Sequence, residues 1–243
     1  MNEKLAELSD QLAPHDWPTF DAASYEEIIA EKVQLIAEIG SASSIRDFGG
    51  LYIVHGKYLL EGAEHLGASY AQMVDATPRD EFSTAAQEFL DRNPGAEVDF
   101  AHGDFRETSL YEKLRPVDVS LLYEVLLHQE NTVEVLRNVT NQTERVICIA
   151  QPCLAEEIFP LPNATVNLQF YPPELKDELR EGSHWPGGEW AERFDTSKWM
   201  WGQTTSFLIS CLWGLGWQLD SIKVDNWKAA RYWVFPLMRF VPR

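Results

Sequence analysis

A rhythm constrains this chain more than any other feature. Between Ser44 and Ala150, short apolar runs alternate with stretches of helical spacing, and three consecutive runs lead into an aspartate. Ser44-Ile45-Arg46-Asp47-Phe48 reads as a strand entering Gly49-Gly50, and residues 56–67 read as a helix closed by Gly67. Ser69 to Val74 is a second strand ending at Asp75, with a helix near 79–92. Glu97 to Ala101 is a third, running into His102-Gly103-Asp104-Phe105. Val117 to Tyr123 is a fourth, 130–141 a helix, and Arg145 to Ala150 a fifth strand. Such alternation builds βαβ units, so the class is α/β, with a mostly parallel sheet between helices on both faces.

The flanks extend this pattern over one domain, residues 1–243. Residues 1–44 read as an N-terminal helical cap. Ser24-Tyr25-Glu26-Glu27 has capping-box form, and Ile28, Ile29, Val33, Ile36 and Ile39 follow at helical spacing before Gly40. Residues 203–215 read as a helix closed by Gly216. Trp217 to Asp225 and Tyr232 to Phe240 alternate as two closing strands, which makes the sheet seven-stranded. Residues 152–200 break the rhythm with six prolines and with Trp185, Trp190 and Trp199, beside Trp201. A long Pro- and Trp-rich excursion reads as a lid-like insertion over a site, or as a surface excursion packed on the domain.

Bulk properties narrow the partners. A net charge of −18, with no local basic cluster, argues against a nucleic-acid substrate. No apolar run reaches the roughly 18 residues of a membrane span. The polar, acidic N-terminus lacks the form of a targeting segment, and Cys148, Cys153 and Cys211 read as reduced thiols. The expectation is a cytoplasmic protein acting on a small molecule, without a metal site. The sequons at Asn138, Asn141 and Asn163 read as chance.

In open α/β sheets, ligands bind outside the carboxyl ends of the strands where strand order reverses. Asp47 stands at the first such end, and Gly49-Gly50 let the backbone approach a ligand. Asp75, roughly 25 residues beyond Gly50, stands where nucleoside-binding folds place the carboxylate that takes the ribose hydroxyls. Asp104 could accept from an adenine amino group, with Phe105 beside the ring. One strand-terminal aspartate is commonly a turn or helix cap; three in succession favour a nucleoside site. The loop itself excludes two alternatives. Tyr58 stands where a phosphate loop needs Ser or Thr, and Leu51 where a dinucleotide loop needs its second glycine.

The succession Asp47-Phe48-Gly49-Gly50, Val74-Asp75, Gly103-Asp104-Phe105 and Val117 to His128 resembles the class I S-adenosylmethionine-dependent methyltransferases over about residues 40–155. The resemblance implies that the two closing strands form an antiparallel hairpin at the sheet edge, and that the cofactor is S-adenosylmethionine. Asp47, Gly49 and Gly50 would then border its methionine moiety, Asp75 its ribose, and Asp104 with Phe105 its adenine. Leu122 and Tyr123 would line the site past the fourth strand. The sequence departs from the family at Leu51 and Ile53, where glycines are usual; their Cβ atoms are expected to crowd the space where the cofactor backbone lies, so that the loop opens slightly or the cofactor sits differently. His55 would reach the methionine carboxylate or serve as a structural loop residue.

Methyl transfer to a hydroxyl or ammonium needs a base, and His128 is the candidate by titration range and place. Glu124 reads as solvated or bound to local backbone. Gln151 would orient the acceptor, and Trp199 and Trp201 would wall its pocket. The expected activity is O- or N-methylation of a small molecule. The alternatives are a non-methylating protein that keeps the fold and cofactor, and a nucleotide-dependent oxidoreductase.

Overall fold

The computed structural model describes residues 18–20, 24–52, 54–104, 106–155, 165–167, 201–225 and 233–243. Strands β1 (Thr19–Phe20), β2 (Ser44–Phe48), β3 (Tyr70–Asp75), β4 (Glu97–His102), β5 (Val117–Tyr123) and β6 (Thr143–Ala150) are followed by β7 (Cys153–Leu154), β8 (Thr165–Asn167), β9 (Trp201–Gln203), β10 (Trp217–Asp225) and β11 (Trp233–Pro242). The helices are α1 (Tyr25–Ala37), α2 (Lys57–Leu66), α3 (Asp80–Arg92), α4 (Thr108–Tyr111), α5 (Thr132–Thr140) and α6 (Thr205–Gly214). A single 3-10 turn, Leu126–His128, follows β5.

The seven long strands lie in the order β4-β3-β2-β5-β6-β11-β10. Neighbours from β4 to β6 are parallel, while β11 runs antiparallel to both β6 and β10. The seven-stranded sheet and its antiparallel hairpin are therefore as expected. Two short strands add to it: β1 pairs with the end of β10, and β7 with β11. β8 and β9 form a separate antiparallel pair.

Burial explains why these segments are strands. Every residue of β5 is buried, as a central parallel strand covered on both faces requires. β4, at the edge, is only half buried. One apolar layer packs Ile28 and Ile36 of α1, Leu59 and Leu66 of α2, and Phe82 and Phe89 of α3 against Ile45, Met73, Leu121 and Phe235. The other packs Val135, Leu136 and Val139 of α5 and Leu208 and Leu212 of α6 against Phe48, Val74, Leu122 and Ile149. Ser24 caps α1, its hydroxyl accepting from the Glu27 amide at 3.3 Å.

The topology fixes where a ligand can sit. From β2 the chain moves outward through β3 and β4, then returns to the opposite side of β2 with β5 and β6. The reversal lies between β2 and β5, and their carboxyl ends carry Asp47 and Glu124.

Candidate functional site

Asp47 stands near the carboxyl end of β2, at the point where strand order reverses. It is fully buried, at 0% exposure. Neither carboxylate oxygen has a hydrogen-bond partner among the described residues. Glycine at position 50 is what admits it, because a Cβ there would stand 1.9 Å from Asp47 Oδ2. Burial, reinforced by Asp75, pushes the Asp47 carboxyl up to about 7, against the opposing pull of Lys32. A buried carboxylate without donors is costly, so an unpaired one at a topological switch point calls for a cationic or hydrogen-donating ligand.

The loop after β2 is shaped by left-handed residues. Gly49 (φ 78°) donates its amide to the Val74 carbonyl at 2.8 Å, and Gly56 (φ 81°) starts α2. A Cβ at Gly56 would meet the Phe82 ring at 2.4 Å. His55 takes a left-handed conformation without being glycine (φ 50°), at about 1–2 kcal/mol of strain. Its Nδ1 is buried and has no partner among the described residues. The Leu51 side chain is fully buried in the α1–α3 apolar layer. Ile53 lies outside the described residues.

Asp75 ends β3 half-buried, and its Oδ1 accepts from the Thr77 amide at 2.9 Å. Asp104 follows β4 and is paired within its own loop. It accepts from the Arg106 amide at 2.9 Å and from the Arg106 guanidinium, which holds its carboxyl below the usual range. The guanidinium of Arg106 thus pairs with this carboxylate in the structure. Arg106 also lines a cleft of about 420 Å³ with Glu130, Asn131, Glu134 and Val135. Phe105 lies outside the described residues.

At the end of β5 the two expected lining residues part company. Leu122 is buried in the α5–α6 layer. Tyr123 faces α1 and is a core residue. Its hydroxyl donates to the Lys32 carbonyl at 3.1 Å, and its ring meets Tyr58 edge-on at 5.1 Å. Neither opens onto the crevice, because a strand with both faces covered sends alternate side chains into opposite cores.

Sequence reasoning missed the most charged part of the edge. Lys32, at 0% exposure on α1, donates to Glu124 Oε2 at 2.7 Å and to the Tyr58 hydroxyl at 3.3 Å. Its ammonium faces the rings of Tyr58, Tyr123 and Phe235 at 5.1, 5.8 and 5.1 Å. Burial lowers the Lys32 pKa, and the Glu124 and Asp47 charges oppose that shift. Glu124 therefore corrects the reading of a solvated side chain. It sits in a left-handed conformation (φ 58°), pinned by its amide to the Ala150 carbonyl at 2.7 Å. The signal was present: Lys32 lies four residues from both Ile28 and Ile36, within the apolar stripe of α1.

His128 closes the 3-10 turn, half-buried, and this turn packs beside β9. Behind it runs a buried polar chain. Gln151 Nε2 donates to Gln203 Oε1 at 2.8 Å, Gln203 Nε2 donates to Thr132 Oγ1 at 2.7 Å, and that hydroxyl donates to the Leu126 carbonyl at 3.3 Å. Gln151 is fully buried here, tying β9 to the sheet. Its Oε1 has no partner among the described residues. Trp201 lies on β9, half-buried. Trp199 lies outside the described residues, as does the insertion apart from 152–155 and 165–167. Among the described residues, no group of three or more His, Cys, Asp or Glu could hold a metal, and no helix is long and apolar enough to cross a membrane.

No protein-family model matches the sequence, and no curated protein sequence matches it. Solved structures do. Coclaurine N-methyltransferase, bound to N-methylheliamine and SAH, is similar at 11% identity and a TM-score of 0.62, with 99% of this chain and 78% of that one covered. The [4+2]-cyclase SpnF is similar at 12% identity and a TM-score of 0.59, covering 99% and 91%. An O-methyltransferase family protein from Burkholderia thailandensis is similar at 14% identity and a TM-score of 0.56, over 87% of this chain. This chain spans 56% of that longer protein. At such identities the likeness is one of architecture, and the strand order agrees with it: the chain has the fold of the class I S-adenosylmethionine-dependent methyltransferases.

Proposed function

We propose that this chain is an S-adenosylmethionine-dependent methyltransferase acting on a small-molecule hydroxyl or amine. The observation that carries the reading is Asp47: a buried carboxylate without a hydrogen-bond partner among the described residues, cradled at Gly50, at the switch point of this fold. The residues fit the cofactor. Asp47, Gly49 and Gly50 would hold its amino-acid end, whose ammonium supplies the missing donors, with His55 at the carboxylate. Asp75 would take the ribose, and Asp104 with Phe105 the adenine once Arg106 yields. Bound there, the cofactor supplies a methyl group activated by a sulfonium.

The chain's own contribution is placement and proton handling. Transfer from a sulfonium is an in-line displacement, so orienting the acceptor and excluding water supply most of the rate. His128, beside β9, would accept the acceptor's proton. Trp199 and Trp201 would wall the acceptor pocket, and Gln151 Oε1 offers it a hydrogen-bond acceptor. The net charge of −18 supports a small, uncharged or cationic acceptor, and a cytoplasmic setting accords with free cysteines.

Isothermal titration with S-adenosylmethionine, SAH and NAD tests the cofactor; binding of NAD alone would refute the reading. With methyl-labelled donor and a panel of phenols and secondary amines, His128→Ala should lower turnover by about 10²–10⁴-fold with cofactor affinity unchanged. The similarity to a cyclase motivates a second reading, in which the cofactor is bound without methyl transfer. Tight cofactor binding with no label in any acceptor would favour it.

A further inference from the structure

Asp104 and Arg106 share one short loop, and their pairing is close but shallow. The guanidinium Nε donates to both carboxylate oxygens, at 2.8 Å each, and an ion pair from Nη2 to Oδ2 completes the fork. Both acceptor atoms that the proposed function offers to adenine are therefore engaged by the protein itself. Water reaches the pair: the Arg106 side chain is 50% exposed and that of Asp104 28%. An exposed ion pair is weak, so a ligand can open this one at modest cost.

Arg106 also has somewhere to go. It lines the cleft of about 420 Å³ with Glu130, Asn131, Glu134 and Val135, between the loop after β4 and the start of α5. Glu134 is already committed there. Its Oε1 accepts from the Thr108 hydroxyl at 3.4 Å, and its Oε2 from the Asn131 side-chain amide at 3.0 Å. Glu130 is exposed on the same cleft, and the guanidinium feels its charge. The bond to Asp104 raises the Arg106 pKa most, and the charges of Asp104, Glu130 and Glu107 add to that shift.

We infer that Arg106 is a gate on the adenine end of the site: it holds Asp104 until an adenine amino group takes the carboxylate, and then swings to Glu130. The inference rests on the proposed function and adds a competitor to it. Binding at Asp104 becomes an exchange of donors. The incoming base must supply an N–H where the guanidinium was, as the exocyclic amino group of adenine does. A base with a carbonyl in that place presents an acceptor to a carboxylate and leaves Arg106 where it stands. Glu130 offsets part of the cost of opening by receiving the displaced charge.

The test is isothermal titration of SAH, and of its deaminated analogue S-inosylhomocysteine, into the wild type, Arg106→Ala, Glu130→Gln and the double variant. Both side chains reach solvent, so folding is not at stake, and the stoichiometry of each titration counts the competent protein. Arg106→Ala should tighten SAH binding by about 2- to 5-fold, the range of an exposed ion pair, and leave the affinity of the inosine analogue unchanged. Glu130→Gln should weaken SAH binding by about 2-fold alone and not at all beside Arg106→Ala. SAH affinity that stays level or falls in Arg106→Ala overturns the gate, as does an equal gain for both ligands; either result leaves the cofactor reading intact. A Glu130 effect that persists without Arg106 overturns the swing. Failure of the wild type to bind SAH removes the cofactor reading, and the gate with it.

Discussion

The Asp47 carboxyl should make this protein less stable as pH rises. In the unfolded chain it titrates near 3.8; in the fold, burial holds it at about 7. The folded state therefore keeps this proton to a higher pH than the unfolded one. Its contribution is fully present below about pH 4 and is lost as pH rises through about 7. At 1.36 kcal/mol per pH unit, the full cost is about 4 kcal/mol, of which about 2 kcal/mol falls between about pH 5.5 and about pH 8. Asp47→Asn keeps the shape and removes the titration. Urea unfolding of both proteins, followed by tryptophan fluorescence, gives stability at each pH. The difference between them cancels the titrating groups that are not coupled to Asp47. The variant should gain about 2 kcal/mol on the wild type across that window, with no cofactor present. Parallel curves would refute the reasoning, since they would mean that Asp47 is solvated or donor-paired in the free protein. Saturating cofactor should shrink the difference, because a bound ammonium supplies Asp47 with its partner.

Three further outcomes are expected. Asp75→Ala should weaken SAH binding by about 1–3 kcal/mol by titration calorimetry, through loss of charge-assisted hydrogen bonds to the ribose; unchanged affinity would remove Asp75 from the site. Gly50→Ala should cost about 1–3 kcal/mol of stability, because its Cβ would overlap the Asp47 carboxylate. In an Asp47→Ala background that cost should largely vanish, and full additivity in the double-mutant cycle would sink the cradle argument. Gln203→Leu should cost about 1–3 kcal/mol by leaving the Gln151 amide and the Thr132 hydroxyl short of partners, read from chemical denaturation.

What the sequence made legible was periodic, and what it hid was a meeting of distant residues. The strands and their terminal acids follow from alternation and breakers, which are local properties, so Asp47, Asp75 and Asp104 were found with their sheet. That the Leu51 side chain turns into the apolar layer beneath was not legible, because a loop position says nothing about which way a side chain points. Asp104 pairs with Arg106, two residues away, and that pairing depends on the turn joining them. Lys32 and Glu124 are 92 positions apart. Their pairing depends on α1 packing over β6 and β11 of the sheet, and no local pattern specifies that. A single lysine within an apolar stripe was nevertheless a readable anomaly, since a buried ammonium requires an acid somewhere in the fold.

The pairing of β7 with β11, the bridge from Leu154 to Thr204, and the β8–β9 ladder have a consequence for variation. They bring the start and finish of the Pro- and Trp-rich stretch together at the sheet, and the glutamine chain from Gln151 to Gln203 stitches the junction. A segment whose ends are stapled this way is a cassette. Closure entropy grows only logarithmically with length, so doubling its length costs about 0.6 kcal/mol. Selection can lengthen, shorten or rewrite it while the strand ends that carry Asp47 and Asp75 stay in place. Grafting a segment of different composition between Asn167 and Trp201 would keep β8, β9 and Gln203, and is expected to leave the strand ends in place.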